Sequence, residues 1–185
     1  MANTPDLIQQ VESIQREYRR KLPPVQQWNP PLSGTMDMRI AEDGRWFHDG
    51  VEIKRQSLAD LFSTILKREN GQYYLVTPVE KWRIQVDDAP FLVIGAEHHK
   101  SKGEVLAHYV FSTKNGDEVV ADKQHPLWIE YKGNEQQPRP YLMIRDGMPG
   151  LLNRNVYYQL VEDALRNGKD TAVGIHSCGE FFALS

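Results

Sequence analysis

Asp-Gly or Asn-Gly occurs six times in the chain, at Asp43-Gly44, Asp49-Gly50, Asn70-Gly71, Asn115-Gly116, Asp146-Gly147 and Asn167-Gly168. Glycine adopts positive φ without steric cost, so such a pair closes a hairpin or ends a helix. The stretches between the pairs therefore read as short elements. In "DMRIAEDGRWFHDGVEIKR" the apolar period is two on both sides of Asp43-Gly44 and Asp49-Gly50, which predicts a three-stranded meander. Further strands are expected at about 72–76, 81–87, 91–96, 104–112, 117–122, 127–131 and 140–145, with a last strand-like piece towards the C-terminus. Asn115-Gly116 joins two of them as a hairpin, and "GNEQQPRP" is a polar loop between two others.

Three segments have helical spacing instead. Residues 5–20 carry Leu7, Ile8, Val11, Ile14 and Tyr18, with Thr4 as N-cap, Pro5 in the first turn, and Arg16, Arg19, Arg20 and Lys21 at the basic end. "SLADLFSTILKRENG" offers Ser57 as cap with Asp60 three residues on. Its stripe is Leu58, Leu61, Phe62, Ile65 and Leu66, and Asn70-Gly71 stands as its terminator. Residues 150–167 present Leu151, Leu152, Val156, Tyr157, Leu160, Val161, Ala164 and Leu165, closed by Asn167-Gly168. "LPPVQQWNPPLSG" has four prolines and reads as an extended tether. Strands in runs with few helices favour α+β over alternating βαβ units. Each half also reads as a meander followed by a helix and a strand, an internal echo without residue identity.

The chain of 185 residues has a formal net charge of −3, which argues against a duplex nucleic-acid partner but leaves room for a nucleotide or a short single strand. The single cysteine, Cys178, excludes an intrachain disulfide and suits a reducing compartment. No apolar run approaches a membrane span or a signal peptide, so the expectation is a cytoplasmic protein without membrane partner.

Candidate chemistry starts from "KWRIQVDDAP". Trp82, Ile84 and Val86 face one way and Arg83, Gln85 and Asp87 the other. Adjacent aspartates then point to opposite faces, so Asp87 and Asp88 suit a turn better than a shared proton. Glu80 beside Lys81 reads as a solvated charge pair. "EHHK" (Glu97, His98, His99), His108 and His125 lack metal-ligand spacing on a helix, so no metal and no cofactor are expected. In "GIHSCGEF", His176 and Cys178 would share a strand face, yet Ile175 stands where a nucleophile elbow needs glycine. No Walker loop or G-x-G-x-x-G is present. Arg145 before Asp146-Gly147 and Arg154 in the first turn of the last helix are candidates for an anion; the alternative is pairing with a nearby acid.

"DGRWFHDGVEIKRQSLADLFSTIL", "GQYYLVTPVEKWRIQVDDAPF" and "IRDGMPGLLNRNVYYQLVEDAL" together resemble the bacterial family of domain of unknown function 1285, over roughly Asp43 to Leu165. The resemblance implies a two-part α+β body with repeated motifs. Its C-terminal part would be a pleckstrin-homology-like bent sheet or barrel capped by a helix. It divides the chain into residues 1–25, with the first helix and the start of the tether, an α+β subdomain at 26–84 and a second subdomain at 85–185. It further implies a ligand groove where the parts meet, for a nucleotide-like molecule in signalling. The matching positions are Trp46, Arg55, Thr77, Glu80, Lys81, Asp88, Pro90, Phe91, Arg145, Arg154, Tyr157 and Tyr158. Trp46, Phe91 and Tyr157 would stack on a base, and Arg55, Arg145 or Arg154 would take a phosphate. The function expected is a non-enzymatic ligand-binding or sensor module. The alternatives are a small hydrolase using Glu80, Asp88 and a histidine, and a protein-interaction adaptor.

Overall fold

At Asp49-Gly50, Asn70-Gly71, Asp146-Gly147 and Cys178-Gly179 both residues have positive φ, between 48° and 81°. That is the backbone of a two-residue type I′ turn, and each of these pairs closes a hairpin. The computed structural model describes residues 4–18, 21–133, 137–168 and 171–185. Arg19 and Arg20, the Thr4 cap and the middle of the "GNEQQPRP" loop lie outside what it describes. The chain separates into two units, Met1–Ala41 with Arg45–Asp87, and Glu42–Gly44 with Asp88–Ser185.

The first unit contains α1 (Thr4–Glu17), a 3₁₀ turn (Val25–Gln27), β1 (Gly34–Ile40), β2 (Trp46–His48), β3 (Val51–Glu52), α2 (Gln56–Ser63), β4 (Leu66–Glu69), β5 (Gln72–Val76) and β6 (Lys81–Val86). Its six strands run β3-β2-β1-β6-β5-β4, antiparallel except for the parallel β1–β6 pair. Alternation puts Met36, Met38, Ile40, Trp46, Leu75 and Ile84 in the core. Leu7, Val11 and Ile14 of α1 and Ala59 and Phe62 of α2 are buried in the same unit. Gln15 Nε2 donates to Thr64 Oγ1 at 2.8 Å, tying α1 to the end of α2.

Three expectations fail here. The second helix stops at Ser63, and Leu66–Glu69 is a strand paired with β5. Asn70-Gly71 therefore closes a hairpin and does not terminate a helix. Ser57 does not cap α2: Arg55 is the N-cap residue, without a side-chain cap bond, and its Nε donates to Ser57 Oγ. A short apolar run such as Ile65-Leu66 satisfies either period, and the β5 ladder decides it. The proline-rich segment is not a free tether either. Pro23 and Val25 are buried, and the buried Lys67 Nζ donates to Trp28 O and Asn29 Oδ1 at 2.9 and 3.1 Å.

The second unit contains β7 (Phe91–His99), β8 (His108–Thr113), β9 (Glu118–Val120), β10 (Leu127–Tyr131), β11 (Pro138–Arg145), β12 (Met148–Leu152), α3 (Arg154–Asn167), β13 (Gly174–Ser177) and β14 (Glu180–Ala183). Six strands run β10-β11-β12-β7-β8-β9, with β12 and β7 parallel, and β13–β14 form a separate hairpin. This order repeats that of the first unit. In each, two three-stranded meanders meet through one parallel pair of their inner strands. The echo in the sequence is thus a repeat of strand order. The helix moves: α2 lies between the meanders, α3 after both.

The last helix starts four residues later than its apolar pattern implies, because Leu151 and Leu152 belong to β12. Asn153 is its N-cap, with Oδ1 accepting from Val156 N at 2.9 Å. Asn153→Ala is expected to lower stability by about 1 kcal/mol, the usual worth of such a cap, measurable by thermal unfolding. Val156, Leu160 and Ala164 are the buried stripe, whereas Leu165 is exposed. Cys178 sits in the β13–β14 turn and not on a strand face with His176, which corrects that reading of "HSCGE". Ser177 beside it is buried, donating to Ala121 O at 2.6 Å and accepting from Tyr109 N at 2.9 Å.

Candidate functional site

Five of the candidate residues fall in the first unit, and most of their polar atoms are engaged there. Trp46 is 1% exposed, stacked on Phe62 at 6.2 Å between centroids. Its Nε1 has no hydrogen-bond partner among the described residues. Thr77 is fully buried; its Oγ1 accepts from Val79 N and Glu80 N and shapes the Thr77–Glu80 turn. Glu80 accepts from Gln10 Nε2 and Trp82 Nε1. Lys81 pairs with Glu69 and sits 4.5 Å over the Tyr74 ring. Hydrogen bonds from Lys81 and then Lys67 hold the Glu69 carboxyl below its usual value, although burial opposes them. Arg55 is exposed at the start of α2.

In the second unit, Phe91 is 1% exposed and the Arg145 guanidinium lies 4.8 Å over its ring. Arg145 Nε also donates to Asp117 Oδ1 at 3.0 Å, so the intramolecular pair is what this arginine forms. Trp46 and Phe91 are therefore core rings, not stacking platforms. Pro90, between Ala89 and β7, is buried too.

Asp88 is the centre of a polar cluster. Its side chain is 3% exposed and accepts from Lys132 Nζ, from Arg139 Nη2 at 2.9 Å and from Tyr141 Oη at 2.8 Å. Arg139 also donates to Glu42 Oε1 at 2.9 Å and to Tyr141 Oη at 3.2 Å. Burial alone would raise the Asp88 pKa; the bonds from Lys132, Arg139 and Tyr141 outweigh it and hold the carboxyl below the usual aspartate value. A carboxyl kept ionised this way is a poor general acid. Among the described residues the side-chain partners of Asp88 and Glu80 are lysine, arginine, tyrosine, glutamine and tryptophan donors, with no histidine among them.

Beside this cluster is a cavity of about 540 Å³ lined by Glu42, Lys132, Gln137–Pro140, Leu151–Arg154, Tyr157 and Tyr158. Its size is in the range of small-molecule sites. The β10–β11 ends supply Lys132 and Gln137–Pro140, and the end of β12 supplies Leu151 and Leu152. The cap and start of α3 supply Asn153, Arg154, Tyr157 and Tyr158, and Glu42 comes from the loop after β1. Arg154 is exposed and forms no ion pair with another described residue. Tyr158, one turn on, is 57% exposed. Tyr157 Oη donates to Leu184 O at 2.7 Å, so the pocket sees its ring and not its proton. Among the described lining residues three cations thus face the cavity against one carboxylate, that of Glu42. Arg154, Tyr157 and Tyr158 are the candidate residues the fold brings together. Lys132 and Arg139 were not singled out by the sequence. Arg139 sits between two prolines, and only its cross-strand pairing with Glu130 would have marked it as a strand residue.

Among the described residues no group of three or more His, Cys, Asp or Glu side chains is placed to hold a metal ion. No described helix is long and apolar enough to cross a membrane.

The family descriptions "Domain of unknown function (DUF1285), N-terminal domain" and "Protein of unknown function (DUF1285), C-terminal domain" match residues 23–89 and 90–184. The chain belongs to the DUF1285 family. Among solved structures it is similar to a DUF1285 family protein from Silicibacter pomeroyi DSS-3, at 40% identity over 89% of this chain and 87% of that one, TM-score 0.80. It is also similar to a DUF1285 family protein from Shewanella baltica OS155, at 27% identity over 69% and 92% of the two chains, TM-score 0.51. No curated protein matches the chain. As a DUF1285 protein it has the α+β architecture of two six-stranded sheets and few helices described above. Helix α1 precedes the matched region.

Proposed function

We propose that this DUF1285 chain is a non-enzymatic ligand-binding or sensor module that takes a small nucleotide-like anion in the pocket at the start of α3. The observation that carries the reading is Arg154. Its guanidinium is exposed and without an ion-pair partner among the described residues, in the first turn of a 14-residue helix, on the rim of a 540 Å³ cavity. Backbone N–H groups and the helix dipole at that end favour a phosphate, and a guanidinium fork binds one in two contacts. Lys132 and Arg139 add positive field, partly offset by Asp88 and Glu42. The exposed Tyr158 ring provides a face for a base, and the Tyr157 ring a second wall. With Trp46 and Phe91 buried, these two tyrosines are the aromatic surfaces left among the candidate residues. A sensing role in signalling would use occupancy of this pocket as its input. A reducing cytoplasm would suit the single Cys178.

Thermal-shift titration of the intact chain with nucleoside mono- and diphosphates and short single-stranded oligonucleotides tests the reading. A ligand at a hundred times its Kd is expected to add about 2.7 kcal/mol of stability. Arg154→Ala should abolish that shift and leave the unliganded Tm unchanged. If no member of the panel stabilises the wild-type chain, or if Arg154→Ala responds as wild type does, the proposal is wrong.

A further inference from the structure

His99 on β7 and His108 on β8 are directly opposed in the antiparallel ladder. Their rings are nearly parallel, 8° apart, with centroids separated by 5.1 Å. An oxygen lies near one nitrogen of each ring, within hydrogen-bond distance for His108 and at 3.6 Å for His99. His108 Nδ1 lies 3.0 Å from Leu106 O, and a carbonyl can only accept, so Nδ1 carries the proton and the lone pair of the neutral ring is on Nε2. Glu97, two residues before His99 and on the same strand face, has Oε2 3.6 Å from His99 Nε2. That carboxylate favours the proton on Nε2 and leaves the lone pair on Nδ1. Each imidazole therefore has one basic nitrogen unused and its other nitrogen turned to an oxygen acceptor, the outer arrangement typical of metal-bound histidines. His99 is 48% exposed and His108 is half-buried, and Glu97, 82% exposed, adds negative charge alongside.

We propose that His99 and His108 are the two protein ligands of a site for a borderline divalent transition ion, copper(II) first and zinc after it, with water completing the coordination. Imidazole nitrogen suits these ions, and copper(II) stands at the top of the affinity order for nitrogen sites. The site is independent of the pocket at α3 and needs no third side chain. Two of the other histidines are arranged differently. His98 faces the other way and stacks on Tyr109 at 4.5 Å, and His125 is bonded to Asp122 within its own turn.

Copper(II) titration of the intact chain, followed by calorimetry and by paramagnetic resonance, tests this. One saturating equivalent is expected, with hyperfine structure from two imidazole nitrogens. His99→Ala and His108→Ala should each weaken it by about tenfold or more, on the scale of losses from metal-site substitutions, while His125→Ala leaves it unchanged. Absence of uptake below millimolar ion, a spectrum without two-nitrogen coupling, or an equivalent that survives unaltered in both variants would overturn the proposal. The spectrum of the wild-type chain decides the matter even if a variant fails to fold.

Discussion

Asp88→Ala is expected to cost about 3 kcal/mol of stability, the low end of what breaking a buried ion pair costs. The carboxylate is almost wholly out of water and holds three donors, so its removal leaves the Tyr141 hydroxyl and one side of Arg139 without their acceptor. Lys132 is half exposed and can return to solvent, and Arg139 keeps Glu42; both limit the loss. The same cluster gives an acid signature. The folded-state pKa of Asp88 is lowered, so its contribution is present above the ordinary aspartate pKa and is lost as pH falls below about 4. Urea denaturation at neutral pH should show the full loss in the alanine variant, and the gap to wild type should narrow as the pH is lowered through that range. Equal stability of the two proteins at neutral pH would mean that the cluster is not formed.

Phe62→Ala should destabilise the first unit by about 3–5 kcal/mol, the range for deleting a buried aromatic ring. Phe62 is fully buried and stacked on Trp46, and the cavity would open beside the largest side chain of that core. Trp46→Phe is the companion variant. It removes ring area but also removes an indole N–H that is buried without a partner among the described residues, itself a cost of about 1–3 kcal/mol. Its net loss should stay below about 1.5 kcal/mol, as for well-tolerated core swaps. A shift of the urea midpoint with an unchanged slope checks both. Trp46→Phe as harmful as Phe62→Ala would show that the indole nitrogen has a partner that matters.

The hairpins could be read from sequence because Asp49-Gly50 encodes its own geometry: a turn with both φ values positive has few other occupants. The stripe of α1 and the meander of β1–β3 were legible for the same reason, since their patterns are local. Ile65-Leu66 was not, because two periods fit it and only the partner strand β5 chooses. The Asp88 cluster was invisible. Its donors come from positions 44, 51 and 53 residues away, and no local pattern reports a partner at that separation. Trp46 and Phe91 show the opposite limit. An aromatic position that could form a binding face is equally a core position, and alternation along β2 and β7 sends both inward. Arg145 and Arg154 looked equivalent in sequence. Asp117 and Phe91 engage the first, and the first turn of α3 leaves the second exposed.

The pocket at α3 is tested most directly by a heteronuclear NMR titration of the intact chain with a nucleoside monophosphate. Saturable shifts centred on the amides of Arg154, Asn155 and Tyr158, with Lys132 and Arg139 following, are the expected result. A spectrum that does not change, or saturable shifts confined to the first unit, would contradict the account.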